Sequence, residues 1–120
     1  MKLILTSVVA LSLWSSSCMA DTKHTTHLVV VSWYGKHWSG RHTSNGERFN
    51  PRMLTAASKT LPMGTRVLVK NGSKTVIVRI NDRGPYVRGR SLDLSEAAAV
   101  RLGIRKQGVA KVSMKIVNAP

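Results

Sequence analysis

Asn71-Gly72 stands between Arg66-Val67-Leu68-Val69-Lys70 and a run from Thr75 to Ile80. In that run Val76, Val78 and Ile80 share one face and Arg79 takes the other. Both turn residues tolerate positive φ, so the stretch reads as a tight β-hairpin. Leu28 to Tyr34 is rich in β-branched and aromatic residues and reads as a strand. Ser91 to Leu94 is a further short extended piece. From Lys111 to Val117, Val112, Met114 and Ile116 alternate with Ser113 and Lys115. Gly35 to Asn50 reads as a loop holding the turn Ser44-Asn45-Gly46, and Pro51 to Ala57 as a short helical turn. Asn81 to Pro85 breaks the return strand. Ser95 suits the N-cap of a helix from Glu96 to about Leu102, with Gly103 as its stop. Short strands with one short helix predict a mostly-β fold, a small β-barrel, in a single domain.

Cys18 is the single cysteine. No internal disulfide can staple the fold, so its stability rests on a packed core. Met1-Lys2, the apolar run Leu3 to Trp14 and the small residues leading to Ala20 have the form of an export signal. Residues 1–20 are therefore expected to be a signal peptide, 21–27 a flexible arm and 28–117 the folded domain. Cleavage after Ala20 frees a soluble, cysteine-free chain. Acylation of Cys18 instead anchors it to lipid, although Ser15 stands where such signals usually carry Leu.

Lys and Arg number 19 against 5 Asp and Glu, a formal charge of +14. Such a chain seeks an anionic partner. Outside a cell membrane that partner is wall glycan or an anionic membrane surface, and nucleic acid is not expected. The four histidines lack metal-site spacing, so neither a metal nor an organic cofactor is expected.

Six strings occur in order: Ser32-Trp33-Tyr34-Gly35, Thr43-Ser44-Asn45-Gly46-Glu47, Leu54-Thr55-Ala56-Ala57, Thr60 to Thr65 (TLPMGT), Arg79 to Tyr86 (RINDRGPY) and Leu92-Asp93-Leu94-Ser95. Together they closely resemble the rare lipoprotein A (RlpA) family, over roughly residues 28 to 117. The resemblance implies a six-stranded double-psi β-barrel. It also implies an envelope lytic transglycosylase that cuts peptidoglycan glycan strands, preferably those stripped of stem peptides. Many members carry a C-terminal peptidoglycan-binding repeat, for which the residues up to Pro120 leave no room. The family's acidic positions fall on Glu47 and Asp82. Its usual histidine, in the string His-x-Thr-Leu-Pro, is replaced by Ser58, which cannot hold a proton charge near neutral pH.

A lytic transglycosylase needs no water nucleophile. One carboxyl can protonate the glycosidic oxygen and then take the proton of the muramic C6 hydroxyl as the anhydro ring closes. Asp82 is the first candidate for that role and Glu47 the second. The plainer alternatives are a turn-capping Asp82 and a solvated Glu47. Arg83 is expected to point away from Asp82, toward the substrate's lactyl carboxylate. Tyr34 and Trp38 can stack on sugar or belong to the core. Asn45 and Asn81, inside the matching strings, and Ser58, in place of the family histidine, complete the substrate-binding set. Asp93 and Glu96, flanking Ser95, are read as helix-dipole and capping residues. Two functions stand: an exported endolytic transglycosylase forming 1,6-anhydromuramic ends, and a non-catalytic glycan-binding barrel, suggested by Ser58. An exported nucleic-acid or lipid binder would rest on charge alone.

Overall fold

The computed structural model describes residues 25–35 and 38–120. The expected signal peptide, Cys18, most of the arm and His37 lie outside the described residues. Strands β1 (His27–Tyr34), β2 (Thr55–Ser58), β3 (Arg66–Asn71), β4 (Lys74–Asp82), β5 (Arg90–Ser95) and β6 (Val109–Asn118), with helix α1 (Glu96–Leu102), follow in that order. The strands close into a barrel with neighbours β1-β5-β2-β4-β3-β6. The β1–β5 and β2–β4 pairs are parallel and the remaining pairs antiparallel. Closure leaves no open sheet edge in the ring.

Period-two alternation fills the interior. Val31, Val67, Val69, Val78, Ile80, Leu92 and Leu94 are fully buried and form one core with Ala98, Leu102 and Ile104. Helix α1 closes one side of this core. Ser95 caps it by accepting from the Ala98 amide, and Gly103 ends it at φ 73°, a left-handed conformation suited to glycine.

Two local expectations are corrected. Within Pro51 to Ala57, residues from Thr55 onward form β2 rather than a helical turn. That strand is short but buried throughout, held between β4 and β5, so pairing on both sides overrides local preference. The hairpin turn is also displaced by one residue. Asn71 pairs with Lys74 as the last residue of β3, leaving Gly72-Ser73 as the connection. Asn71 Nδ2 instead donates to the Leu102 carbonyl at 2.8 Å, tying the hairpin to the end of α1.

The decisive irregularity lies between β2 and β4. Ala56 pairs with Ile80, but Ala57 pairs with Asp82. Asn81 is therefore an extra residue, a β-bulge. Strict alternation after the inward Ile80 would turn Asp82 inward too. The bulge shifts Asp82 to the outer face, a common use of bulges.

Candidate active site

Ser32, Asp93, Ala57 and Asp82 are successive register partners across β1, β5, β2 and β4. Direct cross-strand partners share a face, so these four side chains form one row on the outside of the barrel. The row floors a cleft of about 550 Å³, walled by Trp38, Phe49 and the Gly84–Val87 segment. The loop after β1 reaches the cleft because it is clipped to the bulge. The Ser44 amide and hydroxyl both donate to Asp82 Oδ1, at 3.0 and 2.7 Å, and the Asn45 amide donates to the Asn81 carbonyl. Gly46, at φ 92°, allows the loop to turn back there.

The Arg83 amide also donates to Asp82 Oδ1, at 2.8 Å. Three donors thus fix one carboxyl oxygen of Asp82. Oδ2 takes no hydrogen bond among the described residues and remains available for a ligand proton. Asp82 combines the turn-capping contacts of the plainer alternative with a position on the cleft floor.

Asp93, read from sequence as a capping residue, lies on the same floor. It accepts from the Ser32 hydroxyl at 2.9 Å. Burial raises its pKa, opposed by the Ser32 hydrogen bond and the Arg90 charge and assisted by the Asp82 charge. The alternation Leu92-Asp93-Leu94 already separates Asp93 from the core face. No local signal reveals that β5 lies beside β2. Glu96 pairs with Arg105 at 2.8 Å near the start of α1.

Tyr34 also lines the cleft and stacks on Phe49, with ring centroids 4.6 Å apart. Its hydroxyl is buried and unpartnered among the described residues. Burial first, then the charges of Asp82 and Asp93, raise its pKa, so the phenol stays a neutral donor.

Other expected site residues are redirected by their contacts. Glu47 does not line the cleft. Arg79 donates to it through two nitrogens, at 2.8 and 3.1 Å, and Asn81 Nδ2 adds a third bond at 2.9 Å. These bonds, Arg79 foremost, hold the Glu47 carboxyl down at about 2. The same bonds make Glu47 a brace for the bulge. Asn45 Oδ1 accepts from the Thr43 hydroxyl and the Glu47 amide, organising its own loop. Asn81 is 2% exposed beneath Glu47. Ser58 is 3% exposed, and its Oγ accepts from the Thr60 and Leu61 amides, which makes it a turn cap. None of these three lines the cleft. Arg83 does, but Nη1 donates to the Ser58 and Leu61 carbonyls at 2.8 and 2.7 Å. Its guanidinium therefore secures the end of β2 instead of extending toward a substrate carboxylate.

The Glu47–Arg79 pair has a testable pH signature. A depressed folded-state pKa contributes stability above the ordinary carboxylate range, and that stability is lost as pH falls toward about 2. Glu47→Gln should therefore flatten the decline in stability between about pH 5 and pH 2. Glu47 is partly exposed, so solvent screening limits the difference at neutral pH to under about 1 kcal/mol. Urea unfolding of both proteins across that range checks this, and parallel acid limbs would contradict it.

The rim is aromatic and basic. Tyr86 is 79% exposed on the cleft wall, Trp38 lies 5.3 Å beneath the Arg41 guanidinium, and Arg90 faces the same space. Trp33 Nε1 donates to the Arg105 carbonyl at 3.1 Å, which fixes that ring at the cleft's edge.

A closed six-stranded barrel bearing a carboxyl-floored groove across its parallel pairs defines the molecule as a double-psi β-barrel. Residues 26–114 match the family described as lytic transglycolase, and the chain belongs to that family. It is 54% identical over 91 residues to the probable endolytic peptidoglycan transglycosylase RlpA of Synechocystis sp., covering 74% of this chain and 28% of that protein. It is 46% identical over 91 residues to the endolytic peptidoglycan transglycosylase RlpA of Campylobacter jejuni, covering 74% of this chain and 33% of that one. The chain spans a third or less of the length of these relatives. Among solved structures, a Clavibacter michiganensis expansin superposes with TM-score 0.63 at 22% identity, over 80% of this chain and 52% of the expansin. A Streptomyces papain inhibitor superposes with TM-score 0.66 at 21% identity, over 78% of this chain and 96% of the inhibitor. These two likenesses concern the fold.

Proposed function

We propose that the chain is an endolytic peptidoglycan transglycosylase, cutting glycan strands that lack stem peptides and leaving 1,6-anhydromuramic ends. The observation that carries this reading is Asp82 on the cleft floor, with Oδ1 held by three donors and no hydrogen bond to Oδ2 among the described residues. A carboxyl in that position can serve the two proton transfers at the glycosidic bond. Tyr86 and Trp38 offer faces for sugar rings along the groove. Arg41 and Arg90 supply cationic partners for the lactyl carboxylates that stripped strands expose. The curated relatives' names agree with this reaction. Export through residues 1–20 belongs to the same proposal, with release into the periplasm or anchoring through Cys18. So does attraction of the basic surface to wall or anionic membrane, weakening as salt rises.

The test is mass spectrometry of soluble products from peptidoglycan stripped of stem peptides. Anhydromuramic-ended fragments are the expected result. Binding to the glycan without any release would make the chain a gripping module instead.

A further inference from the structure

Ala57 is the register partner of both Asp82 and Asp93, so the two carboxyls stand on either side of the smallest side chain in the row. Two strand spacings place their Cα atoms about 10 Å apart, wide enough to admit a sugar linkage between the side chains. We propose that Asp93 is a second catalytic carboxyl, delivering the proton to the departing glycosidic oxygen while Asp82 receives the proton of the C6 hydroxyl. This division of labour rests on the transglycosylase reading of the cleft and replaces its single-carboxyl cycle.

The two acids differ in what surrounds them. Asp82 Oδ1 has three hydrogen-bond donors, and Oδ2 has none among the described residues. Asp93 has a single donor among the described residues, the Ser32 hydroxyl, and burial favours its protonated form. Arg90 on its own strand opposes this, while Asp82 from β4 reinforces it. Tyr34 faces both acids from β1, and Ala57 on β2 contributes no charge. Arg41 and His42 of the loop line the same space. Glu47 and Ser58 are engaged by their own hydrogen bonds and do not line the cleft.

The step balances. The bond between C1 and the glycosidic oxygen breaks, its electron pair stays on that oxygen, and the oxygen takes the Asp93 proton. The C6 oxygen bonds to C1, closing the anhydro ring, and its proton passes to Asp82. Proton exchange with solvent restores both acids, so no proton is consumed overall.

The experiment compares the unmodified protein with Asp93→Asn and Asp82→Asn on two substrates. One is stripped glycan. The other is a 4-nitrophenyl glycoside of a disaccharide ending in N-acetylmuramic acid, whose leaving group needs no proton. Asp93→Asn should lower kcat on glycan roughly 100-fold or more, with little change in KM, and remove the alkaline limb of the pH profile. It should retain most activity on the nitrophenyl glycoside, whereas Asp82→Asn loses both activities. A raised folded-state pKa contributes stability at low pH that disappears as pH rises, so Asp93→Asn should also melt higher than the unmodified protein at pH 7 and lose that advantage near pH 3. Equal losses on both substrates would overturn the acid role and leave Asp93 a structural group. Full glycan activity in Asp93→Asn with none in Asp82→Asn would restore the single-carboxyl cycle. No cleavage by the unmodified protein would remove the transglycosylase reading, and this proposal with it.

Discussion

Asp82→Asn is expected to reduce release of anhydromuramic fragments roughly 10²–10⁴-fold, the usual span for losing a proton-transfer group. The asparagine carbonyl can still accept from the Ser44 amide, the Ser44 hydroxyl and the Arg83 amide, so the loop stays clipped to the bulge. Folding and glycan binding should therefore persist, and the loss should fall on kcat. Product mass spectrometry paired with a glycan pull-down separates the two effects. Retained cleavage would remove Asp82 from the mechanism. Lost binding would show that the carboxylate acts mainly in holding the strand.

Ser95→Ala is expected to cost about 2 kcal/mol of stability, combining a lost helix cap with the lost hydrogen bond to the Met53 carbonyl. Ser95 is fully buried, and its hydroxyl donates to the Met53 carbonyl at 2.6 Å while accepting from the Ala98 amide at 3.3 Å. One oxygen thus joins the approach to β2, the end of β5 and the start of α1. For a domain of this size the melting temperature should fall by roughly 10–20 °C. Thermal unfolding checks this, and a loss below about 0.5 kcal/mol would mean that the Met53 carbonyl finds another donor. Because Ser95 closes the strand that carries Asp93, cleavage should decline at temperatures where the unmodified protein is still folded.

Much of the framework was legible as local pattern. The cap at Ser95, the stop at Gly103 and the alternation of Val76, Val78 and Ile80 depend on neighbours close in the chain. The matching strings also pointed to the barrel and to Asp82. Strand β2 is not legible locally because Thr55-Ala56-Ala57-Ser58 is extended only through pairing with β4 and β5, which are distant in sequence. Glu47, Asn45 and Asn81 sit in strings that mark the family and Ser58 replaces the family histidine, yet the hydrogen bonds of all four brace the loop, the bulge and the turn after β2. A motif records which residues are needed. It does not separate those that meet a ligand from those that hold the ones that do.

By itself the sequence determined a small one-domain, mostly-β chain with a strong positive charge and few carboxylates, because composition and two-residue periodicity are local properties. Only the tertiary structure decided which carboxylates share a cleft. The bulge at Asn81 turns Asp82 outward, and closure of the barrel brings β5 against β2, so Asp93 and Asp82 flank Ala57. Register and bulges arise from hydrogen bonding between strands remote in the chain, and the direction in which an acid points follows from that register.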